Sequence, residues 1–325
     1  MITNNRSQAL SVKQYHNFVN NIQEYINKSL KTNVVFAAKK ITSSKNIYVL
    51  GKGTSNSAAL FLTQELKKIY FDKQVDYIVN FVSIENDLDI NDLIILISYT
   101  ASTNDALKVI KSDKQASLLL ITANDSIKTD KGNISILKLY PKKEKLFSRP
   151  ASLISAQIIC HKIICQLTNI PMYDKKQINQ IVKDKFSQRE IITSLAQTEN
   201  VIVIYNHDNK PFASALSLIL NEGICKSSFY FSIDEFIHGW WVPIFAHPSK
   251  YIFFVLALDN MSFKKNKDFL LSSKVKTYFL PTINNKELQG LYYLLQIIYL
   301  IDNYNQKYNY DLNNPIGKND IKKIY

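Results

Sequence analysis

The stretch LIILISYTASTND, residues 93–105, decides the fold class of this chain. Its first five residues are all apolar, which is typical of a strand buried on both faces of a parallel sheet. The next six residues carry five hydroxyl side chains, and a helix is predicted to begin at about Asn104. A buried strand followed by a short polar turn and a helix is a βα unit, the building block of α/β folds.

The same pattern extends outward in both directions. Further apolar strands are predicted at 46–50, 118–122 and 134–139, with helices at 58–70 and 152–167. The second half repeats the alternation, with strands at 200–205, 228–231, 251–256 and 275–280 and helices at 212–224 and 287–304. Parallel sheets covered by helices are therefore predicted in both halves.

A polar stretch at 173–177, just after Pro171, marks the predicted domain junction. We expect an N-terminal helix and a first domain over residues 1–175, and a second domain with a C-terminal tail over 176–325. A helix at 177–196 is predicted to connect the two domains.

Composition excludes several classes of protein. The 325 residues are 46% hydrophobic with a formal net charge of +13, but no block of five or more Lys or Arg occurs, so nucleic-acid binding is not expected. The three cysteines, Cys160, Cys165 and Cys225, suggest no disulfide framework and are expected to be buried. An N-terminus without an apolar signal core and the absence of a long apolar run predict a cytoplasmic protein that does not bind membranes.

Two polar turns follow predicted strands and are candidate ligand sites, because open parallel sheets bind ligands outside the carboxyl ends of their strands. In the turn Gly53-Thr54-Ser55, the glycine allows close backbone approach, and the following helix N-terminus attracts anions. Simple helix capping is the alternative for this turn. The five hydroxyls of residues 98–103 exceed what one cap needs, so the pair of turns favours anion binding. The spacings of a P-loop and of a dinucleotide-binding fingerprint are both missing.

These turns resemble the motifs of the sugar isomerase (SIS) domain family, which binds phosphosugars. Residues 53–55 are similar to its G-[TS]-S, and residues 97–105 to its I-S-x-S-G-x-T-x-D, with Thr100 and Ala101 replacing a Ser and a Gly. The resemblance implies tandem SIS domains, each a three-layer αβα sandwich with a mostly parallel, flavodoxin-like sheet. It also implies Ser152 as a substrate-binding residue and a set of phosphate-binding residues: Gly53, Thr54, Ser55, Ser98, Tyr99, Thr100 and Thr103.

The second half is similar to the isomerase part of glucosamine-6-phosphate synthase and to the SIS-type deaminases and deglycases of amino-sugar phosphates. Glu222 and His238 have the family's spacing of sixteen residues. The resemblance implies that Glu222 moves the proton between C1 and C2 and that His238 opens the sugar ring, chemistry suited to a carboxylate and an imidazole. Lys318 could replace the synthase's C-terminal Lys, whose offset is occupied here by Asp320. Ile219 replaces another synthase lysine.

The leading hypothesis is therefore an isomerase, deaminase or deglycase acting on an amino-sugar or sugar-amine 6-phosphate, without a glutaminase domain. No cofactor and no metal are expected, and the resemblance implies a homodimer in which the His often comes from the neighbouring subunit. The alternatives are a phosphosugar sensor without catalysis, or a degenerate binding module that kept the phosphate loop. Ile219 is the residue that favours the degenerate module.

Overall fold

The computed structural model describes residues 12–112, 115–127, 132–141, 144, 149–172, 175–185, 188–224, 226–256, 261–285 and 287–308. These residues divide into two compact units. The first unit holds the described residues between 21 and 172. The second holds those between 175 and 308 together with helix α1 (residues 12–20).

The first unit is built on a five-stranded parallel sheet in the order β2-β1-β3-β4-β5. Its elements in chain order are α2 (Ile22–Leu30), α3 (Val35–Ser43), β1 (Ile47–Gly51), α4 (Ser55–Ile69), β2 (Val75–Ile78), β3 (Leu93–Ile97), α5 (Asn104–Lys111), β4 (Ser117–Thr122), β5 (Ile134–Lys138) and α6 (Pro150–Thr168). This strand order is the flavodoxin-like one. β2 is added on one side of β1, whereas β3 and the following strands are added on the other side, so the strand order reverses between β1 and β3.

Both faces of this sheet are covered, as the continuous apolar strands predict. Along β3, alternate side chains point to opposite faces. Ile95 and its same-face neighbours pack in a cluster with α3, α4 and α6, whereas Ile94 and Leu96 pack in a second cluster with Ala106 and Val109 of α5. The first unit is therefore a three-layer αβα sandwich.

Helix α6 is the one described helix that is long and apolar enough to cross a membrane, with a mean hydropathy of 1.2 over its most apolar window. However, 72% of that window is buried within the protein, as in a core helix. Cys160 and Cys165 lie on this helix and are both buried, as predicted, whereas Cys225 lies outside the described residues.

The second unit is built on a four-stranded parallel sheet in the order β7-β6-β8-β9. After α1 its elements are α7 (Lys175–Lys183), α8 (Arg189–Gln197), β6 (Asn200–Tyr205), α9 (Lys210–Ile224), β7 (Ser227–Ser232), α10 (Ile233–Glu235), a π-helical segment (Phe236–Trp240), α11 (Trp241–Ala246), β8 (Tyr251–Leu256), α12 (Met261–Ser272), β9 (Lys276–Phe279) and α13 (Gln289–Tyr308). Its strand order repeats that of the first sheet, and the described residues of this unit contain no equivalent of β5.

The structure confirms the predicted α/β class and its parallel sheets, and it differs from the sequence prediction in several elements, among them the unpredicted helices between β7 and β9. Strand β2 was not predicted, because it is a four-residue edge strand of mixed polarity. The single helix expected at 177–196 is two helices, α7 and α8. Helix α1 belongs to the second unit, where His16 Nδ1 lies 2.9 Å from Asp302 Oδ2 on α13.

Candidate functional site

The two hydroxyl-bearing turns predicted from the sequence follow β1 and β3. These are the neighbouring parallel strands at which the strand order reverses. Gly51, the last residue of β1, pairs with Ile97, the last residue of β3, so both turns start at the same level of the sheet. In open parallel sheets this reversal leaves a crevice outside the carboxyl ends of the strands, where ligands bind. The fold therefore places both turns at the first unit's natural binding position.

The turn after β1 is shaped by Gly53, which has a φ of +57°. Its carbonyl accepts a hydrogen bond from Asn56 N at 3.1 Å, and the carbonyl of Lys52 accepts one from Ser55 N at 3.2 Å, so the chain coils directly into α4. Thr54 is the N-cap residue of α4, but its side chain makes no capping hydrogen bond. The capping alternative therefore does not explain why Thr54 carries a hydroxyl.

We expect the Gly53→Ala variant to be less stable than the wild type by about 1 kcal/mol. A Cβ at this position would meet no atom within 4 Å, so the cost comes from the left-handed backbone alone. That conformation costs an L-residue about 1–2 kcal/mol, and the reduced freedom of the unfolded chain returns part of it. Urea unfolding followed by circular dichroism measures the difference. An unchanged unfolding midpoint would show that the turn relaxes out of this conformation at no cost.

The turn after β3 uses its hydroxyl oxygens to hold its own backbone. Ser98 Oγ accepts a hydrogen bond from Ala101 N at 3.1 Å, and Thr100 Oγ1 accepts one from Ser102 N at 3.4 Å. Thr103 is the N-cap of α5 and accepts from Ala106 N at 3.4 Å. A hydroxyl that accepts through oxygen keeps its own proton to donate. The turn therefore presents three hydroxyl donors, a suitable set for an anion.

Ala101 occupies the place of the glycine in the SIS motif and has a φ of +49°, in the left-handed region. The surrounding contacts hold the turn in that conformation. Asn124 Nδ2 donates to the carbonyl of Thr100 at 2.8 Å, and Thr122 Oγ1 donates to the carbonyl of Tyr99 at 3.0 Å. The loop after β4 thus supports the turn after β3, so the replacement of glycine by alanine leaves the left-handed conformation in place.

The hydroxyl groups of Tyr99 and Ser152 are both hydrogen-bonded to Glu144, a residue outside the predicted site. The Glu144 carboxylate accepts hydrogen bonds from Ala151 N at 2.8 Å, from Ser152 N at 3.0 Å and from the Ser152 hydroxyl, all in the first turn of α6. The backbone N–H of Glu144 donates to the Tyr99 hydroxyl, and Arg149 lies over the Tyr99 ring with its Cζ 4.8 Å from the ring centre.

Burial raises the pKa of the Glu144 carboxyl above its ordinary value, and the hydrogen bonds from the first turn of α6 partly offset that rise. Burial also raises the pKa of Tyr99. The cluster fixes the start of α6 against the turn after β3. In this arrangement the Ser152 hydroxyl donates its proton to Glu144, whereas the Tyr99 hydroxyl accepts from Glu144 N and keeps its own proton. The sequence gives little indication of this role for Glu144. It is a single Glu among polar residues, six positions before Pro150, where α6 begins.

An ion pair links the two turns. The ammonium group of Lys52, directly after β1, contacts the carboxylate of Asp105 in the first turn of α5. The Lys52 side chain is 54% exposed and that of Asp105 is 22% exposed. A cation therefore connects the turn after β1 with the first turn of α5.

Glu222 and His238 both lie in the second unit, at opposite ends of β7. Glu222 is in the last turn of α9, where the neighbouring Asn221 side chain is hydrogen-bonded to Ser228 N at 2.9 Å, near the start of β7. His238 follows the other end of β7, in the π-helical segment, and is exposed. Six residues of strand span about 20 Å. One copy of the chain therefore does not bring these two side chains together.

Of the remaining predicted residues, Lys318 and Asp320 lie outside the described residues. Ile219 is fully buried in α9. Within the ranges that the structure describes, no group of three or more His, Cys, Asp or Glu is placed to hold a metal ion.

In the second sheet, the turn after β6 is the described counterpart of the turn after β1, and it carries amide side chains. The turn after β6 contains Asn206 and Asn209, and Asn209 Nδ2 donates to Asn206 Oδ1 at 2.6 Å and to the carbonyl of Leu256 at 3.2 Å. These amides bridge the ends of β6 and β8. The turn after β6 therefore differs in side-chain chemistry from the hydroxyl-bearing turns of the first unit.

Comparison with known proteins agrees with this geometry. Residues 40–161 match the sequence model of the SIS domain, a region that contains both turns and the start of α6. No curated protein sequence matches the chain.

Solved structures resemble the chain over nearly its whole length. The tagatose-6-phosphate ketose/aldose isomerase of Escherichia coli has a TM-score of 0.67 at 11% identity, covering 96% of this chain and 95% of its own. Glucosamine-6-phosphate deaminase of Thermotoga maritima has a TM-score of 0.63 at 15% identity, covering 91% and 93%. The C-terminal domain of glucosamine-fructose-6-phosphate aminotransferase from Francisella tularensis has a TM-score of 0.63 at 14% identity, covering 90% and 95%. At these identities the likeness shows a shared fold of two SIS-like α/β domains.

Proposed function

We propose that this protein binds a phosphorylated sugar and catalyses a proton transfer between its C1 and C2 atoms, as an isomerase, deaminase or deglycase of an amino-sugar or sugar-amine 6-phosphate. The observation that carries the proposal is the pair of hydroxyl-bearing turns at the reversal point of a SIS-type sheet. Their hydroxyls either make no capping contact, as at Thr54, or keep their protons free to donate, as at Ser98.

The phosphate group is bound by backbone and hydroxyl donors of both turns. Gly53 allows the backbone to approach the phosphate closely, since a side chain is missing there. The start of α4 and the start of α5 add the positive ends of two helices. The proposed phosphate-binding residues are Gly53, Thr54, Ser55, Ser98, Tyr99, Thr100 and Thr103, and Ser152 is a proposed substrate-binding residue.

The catalytic roles follow from the resemblance and from the chemistry of the side chains. Glu222 acts as the base that carries the proton between C1 and C2, and His238 moves the proton at the ring oxygen during ring opening. Lys318 is assigned as the amine that contacts the open-chain sugar. Because Glu222 and His238 of one copy lie at opposite ends of β7, a homodimer supplies the His238 of each site from the second copy.

A degenerate phosphosugar-binding module, which has lost turnover and would bind its ligand as a sensor does, is the second candidate. The observation that favours it is Ile219, which is buried in α9 at the position of a lysine in the synthase. An apolar side chain cannot take part in proton transfer. A sensor would bind the same class of ligand through the same turns, so turnover of a bound phosphosugar separates the two candidates.

A thermal-shift screen tests ligand binding, because a ligand that binds only the folded state raises the melting temperature. The compounds are hexose 6-phosphates, amino-sugar 6-phosphates and a fructosamine 6-phosphate, with the unphosphorylated sugars and inorganic phosphate as controls. We expect at least one phosphosugar to stabilise the protein more than inorganic phosphate does. No response to any of these compounds would overturn the proposed function.

The Thr54→Val variant tests the site itself. It preserves side-chain shape and removes a hydroxyl that caps nothing, so stability should not change. We expect about a 10- to 100-fold loss of phosphosugar affinity, the usual contribution of a hydrogen bond to a charged group. Thr168→Val, at the far end of α6, is the control for affinity. Its hydroxyl donates to the carbonyl of Ile164 at 2.9 Å within the helix, so this variant removes a threonine hydroxyl away from the site. Equal affinity of the two variants would place the phosphate elsewhere.

A further inference from the structure

The ion pair of Lys52 and Asp105 lies where the phosphate is proposed to bind. Lys52 is the residue between the end of β1 and Gly53, and Asp105 comes two residues after Thr103, the N-cap of α5. The ion pair thus joins the two turns that supply the hydroxyl donors. The SIS motif quoted above contains an Asp at the position of Asp105 and says nothing of a Lys at position 52.

The charges in the crevice would be unfavourable for a phosphate without Lys52. Asp105 is only partly exposed, and its carboxylate lies in the first helical turn, where the helix dipole favours any negative charge. A phosphate monoester carries close to two negative charges at neutral pH. Bound near the start of α5, it would be repelled by Asp105. The ammonium group of Lys52 offsets the Asp105 charge and is itself a point charge suited to phosphate.

The geometry of Lys52 also suits a ligand contact. Its side chain is 54% exposed although its ammonium group is already paired with Asp105, so the lysine is accessible to a ligand from solvent. An ammonium group has three donors, so it can keep its contact with Asp105 and still donate to a ligand oxygen.

We propose that Lys52 is a phosphate-binding residue, whose ammonium group contacts the dianion of the sugar phosphate while Asp105 holds it in place. This inference rests on the proposed function and adds to it: Lys52 makes the crevice selective for a dianionic phosphomonoester over a neutral sugar. The effect of removing the lysine should therefore appear in phosphate affinity and in its dependence on salt.

The test compares Lys52→Met, Lys52→Arg and a control variant, Lys67→Met. Lys67 also lies in the first unit, is 55% exposed and pairs with Asp76 at 3.3 Å, so it matches Lys52 in exposure and pairing but lies at the far end of α4. The probes are inorganic phosphate and each hexose, amino-sugar or fructosamine 6-phosphate of the thermal-shift screen that stabilises the wild type. Dissociation constants are measured by calorimetry at 0.05 M and 0.5 M NaCl.

We expect Lys52→Met to weaken phosphate binding about 10-fold, the effect of losing one charge-assisted contact. Added salt should then weaken binding less than in the wild type, because an ionic contact has been removed. Lys52→Arg should retain most of the affinity, and Lys67→Met all of it. Unchanged affinity of Lys52→Met, or an unchanged salt dependence, would overturn the inference while the wild type still binds. A wild type that binds none of the probes would overturn the proposed function itself.

Discussion

We expect the Glu222→Gln variant to turn over its sugar phosphate about 10²- to 10⁴-fold more slowly than the wild type, with nearly unchanged affinity. This range of rate loss is the usual contribution of a positioned general base. Glutamine has the shape of glutamate but cannot take up a proton, so the C1–C2 transfer loses its carrier. Steady-state kinetics give the rate, and the thermal shift gives the affinity.

Glu199→Gln is the matched control, since Glu199 is a 66% exposed carboxylate of the second unit whose nearest cation is Lys250 at 3.6 Å. This control should retain full turnover. If Glu222→Gln were as active as Glu199→Gln, Glu222 would not be the base, and if the wild type bound the phosphosugar without turnover, the protein would be the sensor.

The same variant tests whether each site draws on two copies of the chain. Glu222→Gln and His238→Ala should both be inactive alone. The two variants are mixed in equal amounts, unfolded and refolded together. Half of the resulting dimers then contain one copy of each variant, and one of the two sites in such a dimer is complete. The mixture should therefore regain about a quarter of the wild-type activity. Continued inactivity of the mixture would mean that both groups act within one copy, against their separation along β7.

The architecture was predictable because its strands are continuous apolar runs. A strand such as β3, buried on both faces, has a composition that solvent-exposed segments do not share. The elements that escaped prediction are those whose sequence carries a mixed signal. Strand β2 has one buried residue among four, and its pairing is set by the neighbouring β1 rather than by its own pattern.

The candidate site was predictable in its turns and not in its tertiary contacts. Hydroxyl residues after strands are a local pattern, and the parallel sheet brings their turns together. The ion pair of Lys52 and Asp105 joins residues 53 positions apart, and the Tyr99 contact with Glu144 spans 45. Such contacts depend on strand order and loop path, which no local pattern specifies. The distance between Glu222 and His238 likewise depends on the direction of β7.

A methyl group at Gly290 should destabilise the second unit by overpacking the contact between α13 and α9. Gly290 lies at the start of α13 where it crosses α9, and a Cβ there would be 2.0 Å from Cζ of Phe212. Phe212 is buried and already packs on Tyr293, with ring centres 6.4 Å apart, so the ring has little room to move. Overpacking of this kind costs about 1–3 kcal/mol.

We therefore expect Gly290→Ala to lower the free energy of unfolding by about 2 kcal/mol, although alanine is the better helix former. Phe212→Leu should relieve the clash, because it removes the ring atoms that a Cβ would meet. In a double-mutant cycle the two changes should couple by about 1 kcal/mol or more, so that the double variant is more stable than the sum of the single effects predicts. Urea midpoints of the four proteins give the cycle.

The position of α9 connects this packing to function, because the helix that carries Phe212 in its first turn carries Glu222 in its last. Gly290→Ala should therefore also lower turnover, and Phe212→Leu should restore part of it in the double variant. Additive changes in the free energy of unfolding would show that α13 and α9 move apart without strain. In that case the close approach at Gly290 would not be what holds Glu222 in place.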